Sequence, residues 1–125
     1  MKDPKRRAER IAPLIQREVS EIIQRKIKDP RIGFCTITKV QMTNDLKIAK
    51  IWVCVSGGEE RERECLEGLQ SAAGFIRTML GQSLSLRYTP ELRFYIDKSI
   101  DNLMTVDRLL KQIRHELHPE LQESE

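Results

Sequence analysis

Apolar residues recur at intervals of three and four through the first quarter of the chain. From about Arg6 they trace one face of an amphipathic helix, and they are Ile11, Leu14, Ile15, Val19, Ile22, Ile23 and Ile27. Pro13 lies inside this pattern, where a proline removes a backbone hydrogen bond and clashes with the preceding turn. The pattern therefore predicts a helix that either begins near Ala12 or is kinked there, and that ends within residues 28–33, where a proline and a glycine interrupt it.

The pattern then changes to a two-residue alternation, which predicts two strands joined by an Asn-Asp turn. The first strand covers residues 34–43, and its apolar residues change phase between Ile37 and Val40. This change indicates either a β-bulge around Thr38 or a strand that is buried on both sides at its start. The second strand covers residues 46–56 and alternates without interruption, so the two strands are expected to form a hairpin.

A second helical stripe begins near Glu59, and its apolar members are Leu66, Leu69, Ala73, Ile76 and Leu80. Ala72 and Gly74 mark the middle of this stripe, and a glycine inside a helix costs roughly 1 kcal/mol relative to alanine. The prediction is two helices that meet at a kink there; the alternative is one long helix that uses Gly74 only for close packing. The glutamates near the start of this stripe are expected on a solvated face.

Alternation returns at Glu91 and predicts a third strand, which is followed by a final helix that ends before Pro119. If helices cover the apolar face of the sheet, the other face presents Lys50, Trp52, Arg93 and Tyr95. Trp52 and Tyr95 then have two alternative roles, either stacking against nucleic-acid bases or packing beneath the C-terminal helix. We favour packing, because that helix has its own apolar stripe to bury.

Length and composition fit one α+β domain, because 125 residues of which 39% are hydrophobic suffice for a single core. We expect the domain to cover residues 6–118, between a mobile segment at residues 1–5 and a disordered acidic tail at residues 119–125. Residues 1–31 contain ten lysines or arginines against five acidic residues. This basic end suits a polyanionic partner, although a solvated helix face gives the same count. Nothing in the pattern suggests more than a monomer.

Several classes of protein are disfavoured by what the chain lacks. It has no apolar run long enough to span a membrane and no apolar segment of a secretory signal, so a cytoplasmic location is expected. Three cysteines without C-x-x-C spacing are expected to be reduced, buried thiols. His115 and His118 lack a third ligand, and no catalytic constellation is present. We therefore expect no cofactor, no metal, no small-molecule substrate and no enzymatic activity.

The order of elements, with Ala72-x-Gly74 between two helices, resembles a type II KH domain, and four segments resemble the ribosome-binding factor A family more specifically. These are KDPRIG at residues 28–33, VQMTNDLKIAKIWV at residues 40–53, SAAGFIRTMLG at residues 71–81 and RYTPELRFYIDKS at residues 87–99. The resemblance covers roughly residues 5 to 115. Pro13 and the short acidic tail depart from the typical family pattern.

This resemblance implies a KH-like fold with an additional C-terminal helix. It also implies an assembly factor, and not an enzyme, that binds the free small (30S) ribosomal subunit and its 16S rRNA and assists late rRNA maturation, notably in the cold. The family's KH fold lacks the GxxG loop, and no two glycines of this chain lie three residues apart. Recognition is therefore expected to depend on shape and phosphate charge more than on base reading.

The residues expected to contact rRNA phosphates are cations on the first helix and its following loop, namely Arg6, Arg7, Arg10, Lys26, Lys28 and Arg31. Arg77, just past the predicted kink, is expected to form a second phosphate site with the amides that begin the second half-helix. The same prediction includes Lys47, Lys50 and Arg93. The competing hypothesis is a protein-interaction domain that docks through its C-terminal helix and open sheet face, with RNA incidental.

Overall fold

The computed structural model describes residues 4–99, in which a three-stranded sheet packs against two helices. In chain order the elements are α1 (Pro4–Lys26), β1 (Cys35–Met42), β2 (Ile48–Val55), α2 (Gly58–Leu84) and β3 (Glu91–Ile96). This is the α+β order that the hydrophobic pattern predicts. The predicted C-terminal helix, the acidic tail and the pair His115 and His118 lie outside the described residues.

Helix α1 begins at Pro4 and continues without interruption through Pro13, so the predicted start near Ala12 is wrong. Pro13 is exposed, whereas Ile15 and Val19 on the core side of the helix are fully buried. An interior proline costs about 3 kcal/mol or more. Burial of the apolar residues on both sides of it offsets this cost, since each fully buried large aliphatic side chain contributes roughly 1.5–3 kcal/mol.

Strands β1 and β2 form the predicted antiparallel hairpin, and the predicted bulge is confirmed. The register shifts between Ile37, which pairs with Val53, and Lys39, which pairs with Trp52. The extra residue, Thr38, restores the phase, so that apolar residues before and after it face the same core. Thr38 Oγ1 also donates a hydrogen bond of 2.6 Å to a carboxylate oxygen of Asp97, at the end of β3.

Strand β3 pairs with β2 in parallel, which places β2 in the centre of the sheet. A parallel pair requires a long crossover, and α2 provides it. The core side of the sheet carries buried side chains from both strands, which are Ala49, Ile51, Val53, Val55, Leu92 and Phe94. The opposite side presents the predicted row of cations and rings.

Helix α2 is continuous from Gly58 to Leu84, so the two predicted helices are one. Gly74 does not serve close packing either, because a Cβ placed there would meet no atom within 4 Å. The Thr78 hydroxyl donates to the Gly74 carbonyl at 3.0 Å, a contact within the helix that satisfies the hydroxyl. One long helix is favoured because buried residues on both sides of Gly74, such as Leu69 and Ile76, face the same core.

One glutamate of α2 contradicts the expectation of a solvated acidic face. Glu62 is only 5% exposed, and its two carboxylate oxygens accept hydrogen bonds of 3.3 and 3.2 Å from Lys98 Nζ. A buried carboxylate requires such a partner, because its transfer out of water is otherwise very unfavourable. The ion pair therefore ties the segment after β3 to the start of α2. Neither helix within residues 4–99 has the length and apolar character needed to cross a membrane.

Candidate nucleic-acid interface

Four separate parts of the chain meet at one groove, which we call the basic groove. It has a volume of about 740 Å³ and lies between the first turns of α1, the β1–β2 turn, the second half of α2 and the α2–β3 loop (residues 85–90). Each part supplies one cation, and these are Arg7, Lys47, Arg77 and Arg87. All four side chains belong to exposed residues. Groups that are up to eighty residues apart in the sequence thus form one positive surface.

The groove has an apolar floor beneath its cationic rim. The floor consists of Ile11, Met42, Leu46, Leu86 and Pro90. Two carboxylates also line the groove, but both are engaged within the protein. Asp45 accepts hydrogen bonds from Thr43 Oγ1 and from the Lys47 amide, which hold the pKa of this carboxyl below its usual value. Glu91 pairs with Arg93 at 2.6 Å. Neither carboxylate forms an ion pair with a groove cation within the described part of the chain.

The α2–β3 loop is held in place from two sides. Arg77 donates two hydrogen bonds to the Thr89 carbonyl, of 3.3 Å from Nε and 2.9 Å from Nη2. Gly81 permits the close approach of Thr89, because a Cβ at this position would lie 2.5 Å from Thr89 Oγ1. The loop leaves the helix through Ser85, which has a left-handed φ of 50°. The residue next to Tyr88 is therefore anchored, while Tyr88 itself is 76% exposed.

Arg77 differs from its predicted role in one respect. Because α2 is continuous, there is no second half-helix whose first amides are free to bind a phosphate. Arg77 instead orders the α2–β3 loop through the Thr89 carbonyl. A carbonyl does not neutralise the guanidinium, so the positive charge remains available at the groove.

The remaining predicted cations of α1 divide between its two ends. Arg6 and Arg10 are exposed within one turn of Arg7, on the same end of the helix as the groove. Lys26 lies nineteen residues beyond Arg7, or roughly 29 Å along the helix axis at 1.5 Å per residue. Lys28, also exposed, follows it in the α1–β1 loop (residues 27–34). The basic first thirty residues therefore do not form one continuous surface.

Arg31 has a carboxylate partner, which the sequence analysis did not foresee. Its Nη2 lies 2.8 Å from Asp29 Oδ2 and its Nε lies 3.2 Å from both carboxylate oxygens. The Arg31 amide also donates to Asp29 Oδ1 at 2.9 Å. These hydrogen bonds hold the pKa of Asp29 below its usual value and raise the pKa of Arg31. The pair organises the α1–β1 loop and leaves little net charge for a phosphate.

The open face of the sheet holds the other predicted residues in two cross-strand rows. Trp52 stacks on Tyr95, with ring centroids 5.3 Å apart and an interplanar angle of 29°. Lys39 Nζ lies 4.9 Å from the centroid of the Trp52 ring and extends this row. Lys50 pairs in register with Arg93 on the neighbouring strand. The segment predicted to cover this face lies outside the described residues, so the two roles of Trp52 and Tyr95 stay open.

The sequence analysis missed Arg87, Tyr88 and Lys39. Arg87 lies 5.5 Å from the centroid of the Tyr88 ring, so a cation and an exposed aromatic ring are adjacent at the groove. The sequence does contain a feature that points to these two residues. Arg87-Tyr88-Thr89-Pro90 is a short segment without periodicity that combines a cation, an aromatic ring and a proline. The alternation of the strand does not indicate the position of Lys39, because the bulge shifts the register and pairs Lys39 with Trp52.

The described residues offer no grouping of three or more histidine, cysteine or acidic side chains that could hold a metal ion. Cys65 is buried and Cys35 is half-buried, and both are free thiols. Hydrogen bonding to the Cys65 sulfur and burial both raise the pKa of the Cys35 thiol, which keeps it protonated at neutral pH.

Comparison with known proteins identifies the family of this chain. The family model described as ribosome-binding factor A matches residues 7–110. The chain belongs to the ribosome-binding factor A family. A curated ribosome-binding factor A from Halothermothrix orenii is 42% identical over 112 residues, which cover 90% of this chain and 92% of that protein. The resemblance inferred from the sequence motifs is confirmed.

Solved structures of the family share the fold. A Thermotoga maritima structure determined by solution NMR and assigned to ribosome-binding factor A is 34% identical, with a TM-score of 0.65 over 71% of this chain and 85% of that chain. The crystal structure of Thermus thermophilus ribosome-binding factor A is 24% identical, with a TM-score of 0.63 over 71% of this chain and 94% of that one. A homology model of the Thermus thermophilus protein, fitted into a cryo-EM map of its 30S complex, has a TM-score of 0.60 over 71% of this chain and 93% of that model.

Proposed function

We propose that this protein binds the free small (30S) ribosomal subunit through the phosphates of its 16S rRNA, with the basic groove as the principal contact. One observation carries the proposal: four cations from four parts of the chain converge, and none of them forms a salt bridge with a carboxylate of the described residues. Cations that remain unneutralised in a folded protein are the groups that bind phosphates and release counterions. Family membership and the 30S complex of the Thermus thermophilus relative support the same partner.

The proposed contribution to assembly is a shift of population between rRNA conformers. A factor that binds one arrangement of the maturing subunit more tightly raises the share of that arrangement by the ratio of the two affinities. Such a factor needs no catalytic group. The proposal includes assistance in late rRNA maturation and growth in the cold, where misfolded RNA arrangements escape slowly. It also includes a cytoplasmic location, where subunits assemble.

The groove residues are proposed to act in two ways. Arg7, Lys47 and Arg87 present their charges directly to phosphates. Arg77 contributes charge and also holds the α2–β3 loop in position through its two hydrogen bonds to the Thr89 carbonyl. Arg6 and Arg10 extend the positive surface along the same end of α1. Lys26, Lys28, Lys50 and Arg93 are secondary contacts in this proposal, because none of them lines the groove.

The test is co-sedimentation with isolated small subunits, isolated large subunits and whole ribosomes across a salt series. The variant is Arg7→Glu with Lys47→Glu, because neither side chain forms a hydrogen bond or a salt bridge with another described residue. The wild type is expected to pellet with free small subunits. The double variant is expected to bind roughly tenfold or more weakly at moderate salt, and to have a shallower dependence on salt because about two phosphate contacts are lost.

The matched control is Arg17→Glu with Arg63→Glu, which changes the net charge by the same amount on exposed residues that do not line the groove. This control is expected to bind like the wild type. If both double variants lose binding equally, the whole protein charge matters and the groove does not. If the wild type pellets with all particles alike, or with none, the proposed partner is wrong. Binding that does not change with salt would favour the alternative of a protein-interaction domain.

Maturation in the cold is tested separately in a bacterial strain that lacks its own ribosome-binding factor A. The wild-type chain is expected to restore growth at low temperature and to lower the amount of precursor 16S rRNA, whereas the groove variant is not. If the groove variant restores growth and precursor levels as well as the wild type does, at an equal protein level, the groove is not needed for assembly.

A further inference from the structure

We infer that the basic groove accepts an unpaired nucleotide, with its base stacked on Tyr88 and its phosphate held by the surrounding arginines. This inference rests on the proposed function and names the form of RNA that the groove takes. The observation that carries it is the combination of an apolar floor, a cationic rim and one exposed aromatic ring in a single groove. A surface that only attracted the phosphates of a duplex would need the cationic rim, but neither the apolar floor nor the aromatic ring.

The floor argues against a duplex as the occupant. An A-form helix presents phosphates, 2′-hydroxyls and the edges of its bases, whereas the flat faces of the bases are stacked inside it and cannot reach a recessed floor. Met42 and Pro90 in this floor are buried, and Leu46 and Leu86 are half-buried, so the groove remains apolar below the cations. An unstacked base has a flat apolar face that fits such a surface. The groove volume of about 740 Å³ also lies within the range of sites that enclose small ligands.

Tyr88 has the properties of a preformed stacking platform. The residue is 76% exposed, yet the next residue, Thr89, is held through its carbonyl by Arg77 and packs closely against Gly81. A ring on a fixed backbone loses little conformational entropy when a base stacks on it. The constraint on the loop therefore favours binding, and it explains why an aromatic residue is presented to solvent instead of packing into the core.

Arg87 and Arg77 flank this platform with complementary roles. The Arg87 guanidinium carbon lies 5.5 Å from the centroid of the Tyr88 ring. A phosphate bound to Arg87 therefore places the base of the same nucleotide near that ring. The Arg77 guanidinium donates from Nε and Nη2 to the Thr89 carbonyl, and its Nη1 forms no hydrogen bond within the described residues. The carboxylates of Asp45 and Glu91 repel a bound phosphate only in part, because each already accepts hydrogen bonds from other groups of the protein.

The test measures binding of the full chain to an eight-nucleotide single-stranded RNA that contains one 2-aminopurine, and to the same strand annealed to its complement. We expect the single strand to bind more tightly and the 2-aminopurine fluorescence to be quenched on binding. Tyr88→Leu is expected to weaken binding of the single strand by roughly 5- to 100-fold, the range for loss of one stacked base, and to abolish the quenching. Binding to the duplex is expected to stay within about twofold, because its phosphates do not use the ring.

Two further variants separate stacking from folding. Tyr88→Phe keeps the ring and is expected to retain both affinity and quenching. Tyr95→Leu removes the exposed tyrosine of the open sheet face and is expected to leave binding at the groove unchanged. Equal or tighter binding of the duplex, or an unchanged affinity of Tyr88→Leu for the single strand, would overturn the inference. If Tyr95→Leu alone abolishes quenching, the stacked base lies on the sheet face and the inference is also overturned.

The two proposals fail in different ways. If the groove charge variant loses the small subunit while Tyr88→Leu binds the single strand normally, the groove binds rRNA without stacking a base. In that case the proposed function stands and this inference falls. If the charge variant binds small subunits normally, the proposed groove function falls and the inference loses its basis.

Discussion

The α1–β1 loop and the α2–β3 loop contain the same kinds of residue, but the structure uses them differently. Each has an arginine, a proline and an exposed aromatic residue, which are Arg31, Pro30 and Phe34 in the first and Arg87, Pro90 and Tyr88 in the second. Arg31 is neutralised by Asp29 within its own loop. Arg87 lies beside an aromatic ring and near three further cations that line the same groove. Cation content alone therefore does not show where charge is available to a partner.

The two loops also differ in how they are attached to the core. In the α1–β1 loop, Ile32 is 2% exposed and packs so closely on α2 that a Cβ at Gly68 would lie 2.7 Å from its Cγ1. Asp29 accepts backbone hydrogen bonds from Ile32 and Gly33, which close the turn. The α2–β3 loop instead depends on hydrogen bonds from the exposed Arg77 side chain. The first loop is therefore anchored in the core, whereas the second is the one that we propose as part of a binding surface.

The largest effect that would test this comparison is on stability. Ile32→Ala is expected to lower the free energy of unfolding by about 2–4 kcal/mol, because it removes a fully buried side chain and leaves a cavity beside Gly68. Urea titration followed by the fluorescence of the single tryptophan measures this change. Tyr88→Ala, on an exposed ring, is the control and is expected to change stability by less than about 0.5 kcal/mol. Similar losses in both variants would contradict the division between the loops.

A smaller effect is expected at Arg77. Arg77→Ala removes two hydrogen bonds to the Thr89 carbonyl, and on an exposed residue this should lower stability by about 1 kcal/mol or less. The free energy of binding single-stranded RNA should change by more than the free energy of unfolding does, because both the loop position and one charge are lost. Arg77→Lys keeps the charge but not the planar pair of donors, so it should restore binding only in part. Full restoration by lysine would show that charge matters and loop position does not.

The smallest effect is the dependence of stability on pH at Asp29. Since Arg31 lowers the pKa of this carboxyl in the folded protein, the ionised form stabilises the fold above the unfolded pKa, near pH 4. That contribution is lost as the pH falls through the lower folded pKa. Asp29→Asn should therefore be less stable than the wild type at pH 7, and the difference should shrink below about pH 4. Urea titrations of both proteins at pH 7 and pH 3 measure it, and a difference that grows in acid would contradict the pairing.

Features governed by local periodicity could be predicted from the sequence. The phase change between Ile37 and Val40 predicted the bulge, and the uninterrupted alternation of β2 predicted its two faces. The same reasoning was wrong about a helix start near Pro13 and about two separate helices meeting at Gly74, since α1 and α2 are each continuous there. In both places, burial of neighbouring apolar residues against the sheet outweighs the local cost, which is about 3 kcal/mol or more for the proline and roughly 1 kcal/mol for the glycine.

The candidate site was predictable only in part. Arg7, Lys47 and Arg77 were among the predicted cations and meet at the groove, whereas Lys26, Lys28 and Arg31 lie at the other end of α1 or in its loop. Arg87 and Tyr88 were not predicted, because the predicted residues came from helices, from the loop after the first helix, from strands and from the turn between two strands. The exposed ring and its neighbouring guanidinium belong to a six-residue loop without periodicity.

By itself, the sequence determined the order of helical and strand segments within the described residues, the bulge, the faces of the strands and the family. These features depend on residues a few positions apart, where the periods of helices and strands act directly. Only the tertiary structure decided that β3 joins β2 in parallel, that Glu62 is buried against Lys98, and that four distant cations share one groove. Such contacts join residues that are tens of positions apart, and they arise when burial of the common core brings separate elements together.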